Sequence, residues 1–84
     1  MTENEFRNPV DALVVSSVRT LLGNPSVTLD DNFLSIGGNS IAAIRLGHIL
    51  NEKLGIPRTV RIIFKNPVLR DLSDAISGLV GEKV

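Results

Sequence analysis

The sequence contains no cysteine, no tryptophan and no tyrosine, a single histidine, and no net charge. Each absence removes a class of function. Without cysteine there is neither a disulfide framework nor a thiolate to serve as nucleophile or redox centre, and one histidine is too few for a His-based metal site. Nine basic residues offset nine acidic ones, so no excess positive charge favours nucleic acid or an anionic membrane as the main partner. The leading residues MTENEF lack the apolar stretch of a signal peptide, and no run approaches the roughly 18 apolar residues of a spanning helix. These features read as a cytoplasmic protein. Its 84 residues suffice for one small domain, which buries about 60% of the surface its unfolded chain would expose and leaves no room for a deep cleft. There is no internal repeat, low-complexity tract or linker-like segment, so a second domain is not expected.

What is present is a succession of helical patterns. Residues 1–7 are polar and read as a flexible leading segment. Asn8 then offers an N-cap, Pro9 a first helical residue and Asp11 a first-turn acid. Val10, Leu13, Val14, Val18, Leu21 and Leu22 keep helical spacing, and Gly23 suits a C-terminal cap. A second helix runs from about Ser40 to Leu54 and is closed by Gly55. Thr59 is expected to cap a short helical turn carrying Val60, Ile63 and Phe64. A last helix starts at Asn66-Pro67 and runs to about Val80, with Leu69, Leu72, Ile76 and Leu79 on one face. The expected fold is all-α, a small four-helix bundle of three main helices and one short one. Leu46, Leu50, Phe64, Leu72 and Ile76 are expected in its core. Residues 24–39 form a connection long enough to need a functional reason. Val27, Leu29, Phe33, Leu34 and Ile36 would pin it across the helices, and its far end delivers Gly37-Gly38-Asn39-Ser40.

Ser40 is the candidate functional residue, but not a catalyst by itself. A hydroxyl needs a neighbouring base to become a nucleophile. His48, the sole histidine, lies eight residues on, about 12 Å along a continuous helix, and the strand-turn-helix setting of a nucleophile elbow is missing. A phosphate cradle of the P-loop type would need a lysine that is absent here. Taken alone, two glycines before a serine are satisfied by a structural role, with Ser40 capping the helix.

The helix after Ser40 adds information. At 100° per residue, Ala42, Ala43, Leu46, Ile49, Leu50 and Leu54 fall between roughly 180° and 320° from Ser40, a core-facing sector. Arg45, Asn51 and Glu52 lie on the opposite, solvated side. Ile41 and Ile44 project there too, beside His48 and Ser40. Two isoleucines beside a serine at a helix mouth fit a docking spot for other proteins.

The run DDNFLSIGGNSIAAIRL resembles the attachment-site signature of peptidyl carrier proteins, the thiolation domains of non-ribosomal peptide synthetases. These carry an Asp/Asn-Phe pair, an L-G-G-x-S core and a following helix of A/L-x-x-L type. Downstream, GIPRTVRIIFKNPVLRDLSDAI is similar to the family's Phe-x-x-Pro segment and last helix. The likeness spans about Asn8 to Val80. Ile36 replaces the usual leucine, and Asn39 stands where His or Asp is common. The D-S-L triplet and strongly acidic recognition helix of fatty-acid carriers are not matched, since Asn39-Ser40-Ile41 precedes Arg45, His48 and Lys53. The resemblance implies a carrier domain over residues 8–80 with a flexible tail at 81–84. It implies a 4'-phosphopantetheine arm on Ser40, added from coenzyme A by a phosphopantetheinyl transferase and presented by Gly37, Gly38 and Asn39.

The same resemblance implies a protein that is not itself an enzyme, and a monomer that meets an adenylation (loading) enzyme and then condensation, thioesterase or tailoring enzymes. Ile41, Ile44, Arg45, His48 and Arg61 are the expected partner-binding residues. The short length and initial Met fit a free-standing carrier, as they would a domain cut from a synthetase. The competing reading is a helical interaction module in which Ser40 is only a cap. A helix-turn-helix DNA binder built on Arg58, Arg61, Lys65 and Arg70 ranks lower, because four cations in a neutral chain are an ordinary solvated face.

Overall fold

Local chemistry at the helix ends sets the frame. In the computed structural model, which describes residues 6–57 and 59–82, the Asn8 side chain accepts the Asp11 N–H at 2.9 Å and opens α1 (Pro9–Leu22). Gly23, at φ 62°, closes it in the left-handed region that a side chain would disfavour. α2 (Ser40–Leu54) ends likewise at Gly55, φ 67°. The short α3 (Thr59–Lys65) and α4 (Leu69–Glu82) complete the order. α1 packs on α2 and α4, while α3 bridges α2 and α4. This all-α ring closes on Val14, Val15, Val18, Ala43, Leu46, Leu50, Ile63, Leu69, Leu72 and Ile76, all fully buried.

The long connection is sewn to the start of α4. Phe33 N–H donates to the Pro67 carbonyl (2.7 Å), Leu69 N–H to that of Asp31 (3.0 Å) and Arg70 N–H to that of Leu29 (2.8 Å). Asn32 and Val68 form an isolated antiparallel bridge, and Arg70 pairs with Asp30 at 2.7 Å. First-turn N–H groups that usually look to a side-chain cap thus find loop carbonyls instead. For this reason α4 begins at Leu69 rather than at Asn66-Pro67: Pro67 and Val68 serve the loop, and the Asn66 amide turns back to the Ile62 carbonyl at 3.1 Å.

Other expectations are corrected in the same way. Phe64 is 43% exposed and does not join the core, because Ile63 takes the inward position on α3. On α4 the buried stripe is Leu69, Leu72, Ser73 and Ile76, continued by the half-buried Val80, which turns Leu79 to the margin at 36% exposure. Leu34 is exposed, while Val27, Leu29 and Phe33 hold the loop down. The Thr59 hydroxyl caps nothing on α3; it donates to the Gly47 carbonyl of α2 at 2.8 Å. Glycine at 47 makes that approach possible, since a Cβ there would lie 3.0 Å from Val60 Cγ2. Arg58 lies outside the described residues.

Phe6 and Arg7, grouped by sequence with the flexible leading segment, are tied down. Phe6 packs against the core with the Arg19 guanidinium 5.8 Å from its ring centroid. Arg7 grips the buried Asp11 through its backbone N–H (2.7 Å) and Nε (2.9 Å), and reaches Asp74 of α4 at 2.8 Å. The Ser73 hydroxyl donates to the same Asp11 carboxylate. This network holds Asp11 well below the usual carboxylate range, chiefly through its hydrogen bonds with Arg7, and raises Arg7 above its ordinary value.

Because the folded chain keeps Asp11 ionised while the unfolded chain takes up a proton near pH 3.8, the stabilisation is complete above about pH 5. It is lost as the pH falls through about 4 towards the depressed value. Asp11→Ala, which strips the buried Ser73 hydroxyl of its acceptor, is expected to cost about 1–3 kcal/mol at neutral pH. It should also flatten the acid limb of the stability profile, measured by urea denaturation from neutral pH to about pH 2.

Candidate functional site

The site begins with two adjacent glycines that are needed for different reasons. Gly37 has φ 108°, a conformation that L side chains rarely adopt, with open space around it. Gly38 has an ordinary φ but no room: a Cβ would overlap the Phe33 carbonyl oxygen and lie 2.5 Å from ring carbon Cδ2. Its N–H donates to that carbonyl at 2.9 Å. Phe33 is fully buried, so the turn is laid directly on a core side chain. The fold thereby fixes where the next residue emerges.

Asn39 is the N-cap of α2, extended at φ −143°, with its side-chain oxygen accepting the Ala42 N–H at 2.9 Å and its carbonyl the Ala43 N–H at 2.8 Å. Capping, the duty that the interaction-module reading gives to Ser40, therefore belongs to Asn39. Ser40 is the first residue of α2, exposed, and its hydroxyl makes no hydrogen bond among the described residues. No acidic side chain stands in the first turn. The positive end of the helix dipole is left open beside an unengaged hydroxyl, a setting that suits a phosphodiester.

The outward side of α2 carries the other candidates. Ile41 is 64% and Ile44 58% exposed. Arg45 is exposed one turn after Ile41, and His48 one turn after Ile44. His48 lies 3.4 Å from Glu52 Oε2 and far along the helix from Ser40, so it is not a base for it. Arg61 is exposed on the neighbouring α3. Two further apolar surface residues, Leu34 and Phe64, are ones that the sequence pattern places inward; helical or loop spacing alone carries no signal for the reverse.

Substitution at the two glycines separates their roles. Gly38→Ala is expected to lose about 1–3 kcal/mol in chemical denaturation, because either Phe33 or the turn must move in a filled core. Gly37→Ala should lose a similar amount through backbone strain alone, leaving the amide signals of the residues around Phe33 in place in an NMR spectrum, where Gly38→Ala displaces them.

Residues 12–76 match the family described as "Phosphopantetheine attachment site". The chain is 34% identical over 70 residues to cyclosporin synthetase simA of Tolypocladium inflatum, covering 83% of this chain and, to the nearest per cent, 0% of that protein. It is 35% identical over 75 residues to one of the linear gramicidin synthase proteins of Brevibacillus parabrevis, covering 89% of this chain and 1% of that protein. With a second protein of the same synthase it shares 34% over 76 residues, 90% of this chain and 2% of that one. The chain thus spans a very small part of the length of these relatives. No solved structure gives a significant match.

Proposed function

The chain belongs to the phosphopantetheine attachment-site family, and on that premise we propose that Ser40 is the residue that takes the arm and that the protein is a peptidyl carrier rather than an enzyme. The observation that carries this reading is the Ser40 hydroxyl itself: exposed at the first position of α2, free of hydrogen bonds among the described residues, and relieved of capping by Asn39. Residues 8–80 form the carrier unit in this reading, and the family match at 12–76 lies inside it.

The geometry supports a division of labour. No base among the described residues serves Ser40, so in this reading a phosphopantetheinyl transferase takes the hydroxyl proton while the serine oxygen forms the phosphodiester and the nucleotide half of coenzyme A departs. Gly37 and Gly38 bring the serine out of the loop, Asn39 holds the helix end open, and the first-turn N–H groups of α2 face the new negative charge. Once attached, the arm supplies a terminal thiol able to hold an acyl or aminoacyl group as a thioester. The protein's own cysteine-free sequence offers no rival thiol. The relatives described above are, by name, a cyclosporin synthetase and a linear gramicidin synthase, which supports aminoacyl or peptidyl cargo. Partners in this reading are the transferase, an adenylation enzyme and condensation, thioesterase or tailoring enzymes, all acting in the cytoplasm. Ile41, Ile44, Arg45, His48 and Arg61 form the surface they read.

Incubation with coenzyme A and a broad-specificity transferase is expected to add the mass of one phosphopantetheine, and Ser40→Ala to add none. An unmodified wild-type protein, or an arm on another residue, overturns the assignment. Ile44→Glu is expected to leave stability within about 0.5 kcal/mol, as for other surface changes, while slowing arm attachment or loading. Unfolding of this variant would make Ile44 a core residue, and unchanged rates would remove it from the docking surface.

A further inference from the structure

Positive charge is used unevenly across the molecule. Away from the outward sides of α2 and α3, the described arginines are engaged: Arg7 by Asp11 and Asp74, Arg70 by Asp30, and Arg19 by the Val27 carbonyl and the Phe6 ring. Arg45 on α2, and Arg61 and Lys65 on α3, are exposed and have no ion pair among the described residues. Glu52, the acid on this side of α2, already faces His48 at 3.4 Å. The two helices meet where Thr59 and Val60 lie on Gly47. Ile44 stands one turn from that junction on α2 and Phe64 one turn from it on α3, 58% and 43% exposed. Exposed apolar side chains are therefore bordered by like charges that the fold leaves uncompensated.

We infer that the α2–α3 face takes a protein partner whose contact surface bears carboxylates around an apolar patch. The inference rests on the carrier reading and specifies the charge of the surface that meets the carrier. Burying Ile41, Ile44 and Phe64 supplies the non-directional part of such a contact. Carboxylates opposite Arg45, Arg61 and Lys65 supply steering and register. Nucleic acid fits less well: phosphates would leave three apolar side chains in water, and the rest of the chain carries enough acid to balance every base. A basic partner would set cation against cation.

A matched pair of amphipathic helical peptides of about 18 residues, with one leucine face and either glutamate or lysine on the polar face, is the probe. Each is titrated into the 15N-labelled protein. The glutamate peptide is expected to shift the amides of Ile41, Ile44, Arg45, Arg61 and Phe64 and to bind about tenfold tighter than its lysine counterpart. That advantage should fade between about 50 and about 500 mM salt. The double variant R45E/R61E, with an unchanged circular dichroism spectrum, should reverse the preference. Equal or tighter binding of the lysine peptide, no binding of either, shifts centred elsewhere, or comparable binding to phosphatidylglycerol vesicles or duplex DNA overturns the inference. Arm attachment to the same wild-type sample keeps the two readings apart. An arm gained with no charge preference rejects the acidic partner alone, and a charge preference without an arm rejects the Ser40 assignment alone.

Discussion

The Phe33 ring lies where a side chain on Gly38 would have to go, and the presentation of Ser40 depends on that contact. Phe33 is held from both sides. Its N–H is bonded to Pro67 ahead of α4, and its carbonyl receives the N–H of Gly38. A buried aromatic side chain thus fixes the height of the turn, the turn fixes Asn39 as the cap, and the cap leaves the next residue free. The exposed hydroxyl is a consequence of core packing several residues upstream, so alterations in the loop-to-α4 seam are transmitted to the site without touching it.

Much of this is legible in the sequence because it is local. Asn8, Pro9, Gly23 and Gly55 act on their own helix ends, and the helical wheel of α2 separates Ala43, Leu46 and Leu50 from Ile41 and Ile44 as the structure does. Where sequence and structure differ, the cause is a group distant along the chain. Asn66-Pro67 has the form of a helix start, but loop carbonyls at Leu29 and Asp31 take over the capping and shift the start to Leu69. Thr59 has the form of a cap, yet α3 approaches α2 so closely at Gly47 that its hydroxyl is drawn across. In a helix as short as α3 the apolar residues Val60, Ile62, Ile63 and Phe64 surround the axis, and only the packing partner selects Ile63 over Phe64. Asp11 is legible as a first-turn acid but not as a buried one, since its partner Ser73 comes from the far end of the chain.

The site shows the same division. The glycines are legible as permissive, but only the structure distinguishes the one that needs a positive φ from the one that needs empty space. Ser40 is legible as exposed. That it is exempt from capping is not, because Asn39 and Ser40 are both good caps by composition and only the backbone decides between them.

The side-chain links that close the fold span very different lengths of chain. Thr59 and Gly47 are 12 positions apart, Arg70 and Asp30 are 40, and Arg7 and Asp74 are 67. Closing the longest of these loops costs only about 1.5 kcal/mol more chain entropy than the shortest, yet that difference is enough to rank them. The α2–α3 corner demands the least reorganisation of chain, whereas the bonds that seat the loop and latch α1 to α4 become favourable only when most of the bundle is in place. The α2–α3 corner therefore rests on the nearest of these contacts, whereas the turn that aims Ser40 is seated by a seam whose side-chain link spans 40 positions.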